Sequence, residues 1–220
     1  MNGREFVAHL NEKYYPELEG PIIAVRKALA ELDPSCPAFV ELMQRQAKKE
    51  EAHAVAFTKA LDMYPELDEQ ERSQVAEQAA EEHHHYELIR DYLQNRGIEF
   101  EDDPGDAYSA YFDRFLAGDV KAFRLCNIAE KSAVAFFVHM GEVTTDPAVR
   151  TLVAAIMADE ADHGDSLATK LSLLASDEGE RDFLERHFVE SWSSQKKGVF
   201  LEAEELGVDV ERVLAKFSQG

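Results

Sequence analysis

The sequence predicts an all-α fold, and three observations carry that prediction. Apolar residues recur at spacings of three, four and seven through four long segments, the period of helices with one buried face. Alternation at period two, the mark of a half-buried strand, is not sustained anywhere. The seven Pro and eleven Gly fall mostly between the periodic segments, where such residues end helices and turn the chain.

Residues 5–31 form a first helical segment, with a break expected at Gly20-Pro21, and Pro34-Ser35-Cys36-Pro37 stops it. The next helix keeps Phe39, Met43, Glu50, Ala54, Phe57 and Leu61 on one face as far as Tyr64, and Pro65 ends it. Asp68 followed three residues later by Glu71 reads as a capping box for the second long helix. Its inward face runs Val75, Ala79, Glu82, Tyr86, Ile89 and Leu93, and Gly97 closes it. An acidic stretch containing Pro104-Gly105 leads to a third long helix over 108–139, interrupted near Gly118, with a seam of Phe123, Asn127, Glu130, Val134 and Phe137. Gly141 and the turn Thr145-Asp146-Pro147 follow, Pro147 suiting a first helical position. The fourth long helix carries Leu152, Ile156, Glu160, His163, Leu167, Leu171 and Leu174. Two shorter helices over 178–196 and 208–218 complete the chain, the first bearing the lone Trp192.

At 220 residues, 45% of them hydrophobic, the chain can bury one sizeable core, and a single domain over 1–220 is expected. The formal charge of −21 comes from 44 acidic against 23 basic side chains. Such a surface repels nucleic acid and anionic lipid, whose phosphates need clustered Lys and Arg. No apolar run approaches the length of a membrane span, and Met1 is followed by polar residues rather than by a leader's apolar core. Cys36 and Cys126 form no C-x-x-C pair, which excludes zinc ribbons and rubredoxin-type iron sites. Two widely separated thiols suit a reducing cytoplasm.

Four acidic residues sit on the apolar seams of four separate helices: Glu50, Glu82, Glu130 and Glu160. A carboxylate inside a helical core is costly unless it is paired, protonated or bound to a cation. Four at matching depth call for one common cause, and a pair of metal ions supplies it. Glu82 with His85, and Glu160 with His163, form Glu-x-x-His units whose side chains share a helix face. The arrangement repeats, since Glu50 precedes Glu82 by 32 residues and Glu130 precedes Glu160 by 30. Each half is a helix with one Glu and then a helix with Glu-x-x-His. Four carboxylates and two imidazoles suit iron or manganese better than zinc or calcium. Competing registers stand beside this one: Glu81 with His84 against Glu82 with His85, and Glu51 against Glu50. His53 makes Glu50 the start of a further Glu-x-x-His, as an extra ligand, a donor to the ligands or a plain interhelical hydrogen-bonding group. His83 is expected at the surface, and His9, His139 and His187 belong to no such unit.

Over residues 38–175 this pattern resembles the ferritin-like di-iron carboxylate superfamily, four-helix bundles in which two helices each give a Glu and two each give Glu-x-x-His. The resemblance implies a metal-binding bundle over 38–175, extra N-terminal helices, and covering helices over 176–220. It implies two iron ions, or manganese in their place, held by Glu50, Glu82, His85, Glu130, Glu160 and His163. It also implies outer carboxylates that bond the ring N–H of the opposite histidine, Asp159 for His85 and Glu81 for His163. The activity it implies is an O2-dependent di-iron oxidase or oxygenase acting on a small or medium-sized organic molecule, with O2 as co-substrate and an external electron donor. Neither nucleic acid nor membrane enters as a partner, and a homodimer is left open. Three other readings stand beside it: a ferroxidase or rubrerythrin-like peroxidase, a heme-oxygenase-like di-iron oxidase in which Asp159 is itself a ligand, and a metal-free helical interaction module. The short turn between the third and fourth helices and the matched halves favour the ferritin-like reading over the heme-oxygenase-like one.

Overall fold

A capping box opens the first helix, α1 (Gly3–Tyr14): the Asn2 side chain accepts from the Glu5 amide at 3.0 Å while the Glu5 carboxylate accepts from the Asn2 amide at 2.7 Å. The computed structural model describes residues 2–99, 120, 123, 130–160 and 174–219, with backbone alone for 130–132, 159 and 160. Among the described residues every regular element is helical, as the periodicity predicts. No described helix is long and apolar enough to cross a membrane.

The expected break at Gly20-Pro21 takes a milder form. The chain passes from α1 through a π-helical turn, Tyr15–Glu19, directly into α2 (Gly20–Ala30). Pro21 has no N–H to offer the Glu17 carbonyl, and the Lys196 ammonium donates to that oxygen instead, at 2.7 Å. A side chain from elsewhere in the sequence thus supplies the missing donor, and the helix axis continues.

Helices α3 (Pro37–Met63) and α4 (Glu69–Asn95) form an antiparallel pair. Cross-links from Arg72 to the Leu61 carbonyl (2.9 Å), His83 to Glu51 (2.7 Å) and Gln44 to the Glu99 carbonyl (3.3 Å) set its register. The capping box expected at Asp68 and Glu71 is present, with both reciprocal bonds. Asp68→Ala is expected to cost about 1 kcal/mol, measurable as a lowered denaturant midpoint with an unchanged m-value. Gly97, at φ +71, closes α4 as expected, because the Ile98 amide can then reach the Leu93 carbonyl at 3.1 Å.

The later boundaries differ from the sequence expectation, each for a physical reason. Helix α5 (Glu130–Val143) runs past 139 and through Gly141. That glycine is a packing residue: a Cβ there would stand 3.1 Å from Val153 of α6 (Pro147–Glu160), so its bareness lets the two helices approach. Helix α7 (Arg181–Glu205) begins after a 3-10 turn at Glu178–Glu180 and extends nine residues beyond the expected end at 196, because Gly198 does not stop it. Gly207, at φ +80, does, with the Val208 amide bonded to the Ala203 carbonyl at 2.8 Å. Helix α8 (Val210–Phe217) follows, its first turn capped by Asp209.

The chain groups into two compact units, Pro34–Arg124 and Met1–Asp33 with Leu125–Gly220. The first has a core of Phe39, Leu42, Met43, Ala47, Phe57, Ala60, Val75, Ile89 and Leu93, with Phe123 against Phe57 and Tyr64. In the second, α2 packs against α5, α7 and α8, and α5 against α6. Its largest fully buried side chains are Trp192, Phe136, Phe137, Ile22, Leu29 and Met140.

Candidate metal centre

Two carboxylates lie inside the α3–α4 pair near the middle of each helix. Glu50 and Glu82 are each 5% exposed and His85, one turn beyond Glu82, is 1% exposed. Their neighbours along the same faces are apolar and buried: Ala47 and Ala54 beside Glu50, Tyr86 and Ile89 beside His85. Helical spacing dictates this placement, since residues three and four apart share a face. The same spacing turns His83 and His84 outward, where both are exposed, and leaves Glu81 half-buried.

His53 completes a cluster at the edge of this group. Its Nδ1 stands 3.5 Å from Glu82 Oε1 and 4.0 Å from Glu50 Oε2, with its side chain 31% exposed. One ligand atom from each of Glu50, His53 and Glu82 lies within 4.8 Å of the other two, a spacing that could hold a metal ion. Gln46, one turn before Glu50, donates its amide to Glu50 Oε1. That bond ties one carboxylate oxygen and leaves Oε2 as the one nearer His53.

Burial is the main force on Glu50. It pushes the carboxyl pKa up from 4.5 to about 8, the neighbouring Glu82 charge and a hydrogen bond between the two acids add to the rise, and His53 and His85 oppose it. Two such acids can lie together if they share a proton or if a cation lies between their oxygens. Hard carboxylate oxygens with a borderline imidazole nitrogen form a donor set that a divalent metal ion could take.

Glu51 resolves to the outside. Its carboxylate meets His83 Nδ1 at 2.7 Å on the partly exposed flank of the pair. Adjacent glutamates at 50 and 51 therefore have separate tasks, one in the core and one stitching the two helices at the surface. His83, expected as a surface residue, has this interhelical role in addition. Gln46 was not singled out by sequence reasoning, although an amide four residues before a seam glutamate is the signal that would have found it. Glu130 is the first described residue of α5, and Asp159 and Glu160 are the last of α6, with their side chains outside the described set. His163 and Cys126 lie outside the described residues. Of the sequence-predicted set the structure thus brings together Glu50, Glu82 and His53, while His85 is buried one turn beyond Glu82 and lies outside that three-residue group.

Comparison with protein-family models, curated proteins and solved structures finds no match to this chain.

Proposed function

We propose that the chain is a non-heme di-iron oxidase or oxygenase of ferritin-like bundle architecture that uses O2 to oxidise a small or medium-sized organic molecule. The observation that carries this reading is the cluster of Glu50, His53 and Glu82 inside an antiparallel helix pair, with His85 buried one turn beyond Glu82. The other half of the repeat, Glu130 and the Glu160-x-x-His163 unit, completes the ligand set on sequence grounds. Asp159 and Glu81 are assigned to the ring N–H groups of His85 and His163.

Bound iron would supply the electrons for O2 reduction, with an external donor restoring them. The protein's own residues do the rest. Glu50 and Glu82 balance cationic charge in a surround from which apolar neighbours exclude water. Gln46 fixes the orientation of the Glu50 carboxylate by holding Oε1, as groups behind a ligand commonly do. His53, partly open to solvent, is a third donor next to both carboxylates.

Anaerobic titration of metal-free protein with Fe2+, followed by metal analysis, tests the reading. About two ions per chain are expected, falling sharply in Glu130→Ala with helix content retained, and O2 consumption should follow when a reductant is present. One tightly held zinc with no capacity for iron overturns the di-iron reading. Rapid turnover of free Fe2+ with accumulation of mineral transfers it to ferroxidase.

A further inference from the structure

Arg26 is the only buried Lys or Arg among the described residues, and its surroundings are those of a core side chain. It lies on α2 at 6% exposure, on the face that carries Ile22, Val25, Leu29 and Ala30, all buried. Its guanidinium carbon stands 5.7 Å from the centroid of the Phe136 ring on α5. Nε and Nη1 are both sealed from solvent, and neither donates a hydrogen bond among the described residues.

The combination is anomalous in a chain with 44 carboxylates. Arginine keeps its proton under all conditions in which a protein folds, so burial cannot be relieved by neutralisation. An aromatic face offsets part of the lost hydration, but a desolvated charge with unfilled donors remains costly. A structural arginine in so acidic a chain has many partners available. This one is instead kept with two of its three guanidinium nitrogens, Nε and Nη1, unfilled.

We infer that Arg26 anchors a binding site for a small organic monocarboxylate with an apolar body. A planar fork of N–H donors matches the two oxygens of a carboxylate. A single buried cation balances a single negative charge, and the aliphatic and aromatic side chains around it suit a hydrocarbon or aryl body rather than a hydrated one. A tetrahedral phosphate would call for further donors. The site lies within one compact unit and does not depend on the metal reading.

The test uses the metal-free full chain, so that its failure is separate from a failure of metal binding. Octanoate and benzoate are titrated calorimetrically, with octanamide, benzamide and inorganic phosphate as comparators. At least one carboxylate is expected to bind, its amide at least about 100-fold more weakly. Arg26→Met should weaken binding about 100-fold or more, and Arg26→Lys, which keeps the charge but loses the fork, about 10-fold. Ligand-free Arg26→Met should melt no lower than the parent, because it removes an uncompensated buried charge. The inference is overturned if neither carboxylate binds at millimolar concentration, if binding survives in Arg26→Met, or if phosphate binds more tightly than both. Should Arg26→Met fail to fold, undiminished binding by Arg26→Lys overturns the inference equally.

Discussion

Glu50→Gln is expected to stabilise the metal-free chain at neutral pH while abolishing its metal binding. The parent carboxyl holds its proton up to about pH 8 in the folded state, chiefly through burial, whereas its ordinary value is 4.5. Below pH 4.5 the group is protonated in both states and its contribution to stability is complete. As pH rises, the unfolded chain ionises first, so that contribution is lost progressively until the folded-state pKa is passed. The loss by pH 7 is on the order of 3 kcal/mol. Glutamine has nothing to ionise, so the difference between the two proteins should grow from pH 4.5 to 8 and then level off. Urea denaturation of both across that range, with chelator present, measures it. Parallel profiles would show that the acid is not held protonated by its surroundings. The amide also lacks the anionic oxygen a cation needs, so the same substitution should weaken Fe2+ binding by more than about 100-fold, a larger loss than disturbing an outer partner causes.

His85→Ala should remove Fe2+ binding to a similar degree, whereas His84→Ala should leave it within about twofold. The contrast follows from the helix period: His85 is 1% exposed beside Glu82, and His84 is on the outer face. His83→Ala should also leave metal affinity unchanged but weaken the helix pair slightly, through loss of the bond to Glu51; exposed pairs of this kind contribute roughly 0.2–1 kcal/mol. Calorimetric Fe2+ titrations of the three variants, checked by circular dichroism for helix content, distinguish them. Unchanged affinity in His85→Ala together with loss in His84→Ala would rotate the metal-binding face by one residue and remove the basis for pairing His85 with Glu82.

The two carboxylates also show how the alternatives left by the sequence divide. Glu50 and Glu51 are chemically identical neighbours, and only their angular position on α3 separates a core acid from a surface one. Periodicity favoured Glu50 because Phe39, Met43, Ala54 and Phe57 define the same stripe, and burial follows that stripe. The partner of Glu51 was not legible, since it comes from α4 and depends on the interhelical register. The role of His53 was undecidable for the same reason. Its distance to Glu82, 3.5 Å across the pair, is a property of two helices together.

By itself the sequence determined the helical class, the capping box at Asp68 and Glu71, the stop at Gly97 and the inward faces of α3 and α4. All of these depend on residues within a few positions of one another, through hydrogen bonds of the first turn, positive-φ glycine and the 3.6-residue period. Tertiary structure decided what those local rules leave open. Pro21 did not break the first helix, because Lys196 supplies the donor that proline lacks. Gly141 and Gly198 did not end their helices, because a glycine within a helix is a moderate propensity cost that packing overrides. Arg26 drew no notice in the sequence, where a lone arginine in an amphipathic helix is ordinary. Its burial against Phe136 arises only when α2 meets α5, and contacts between distant segments are set by the packing of whole faces rather than by any local signal.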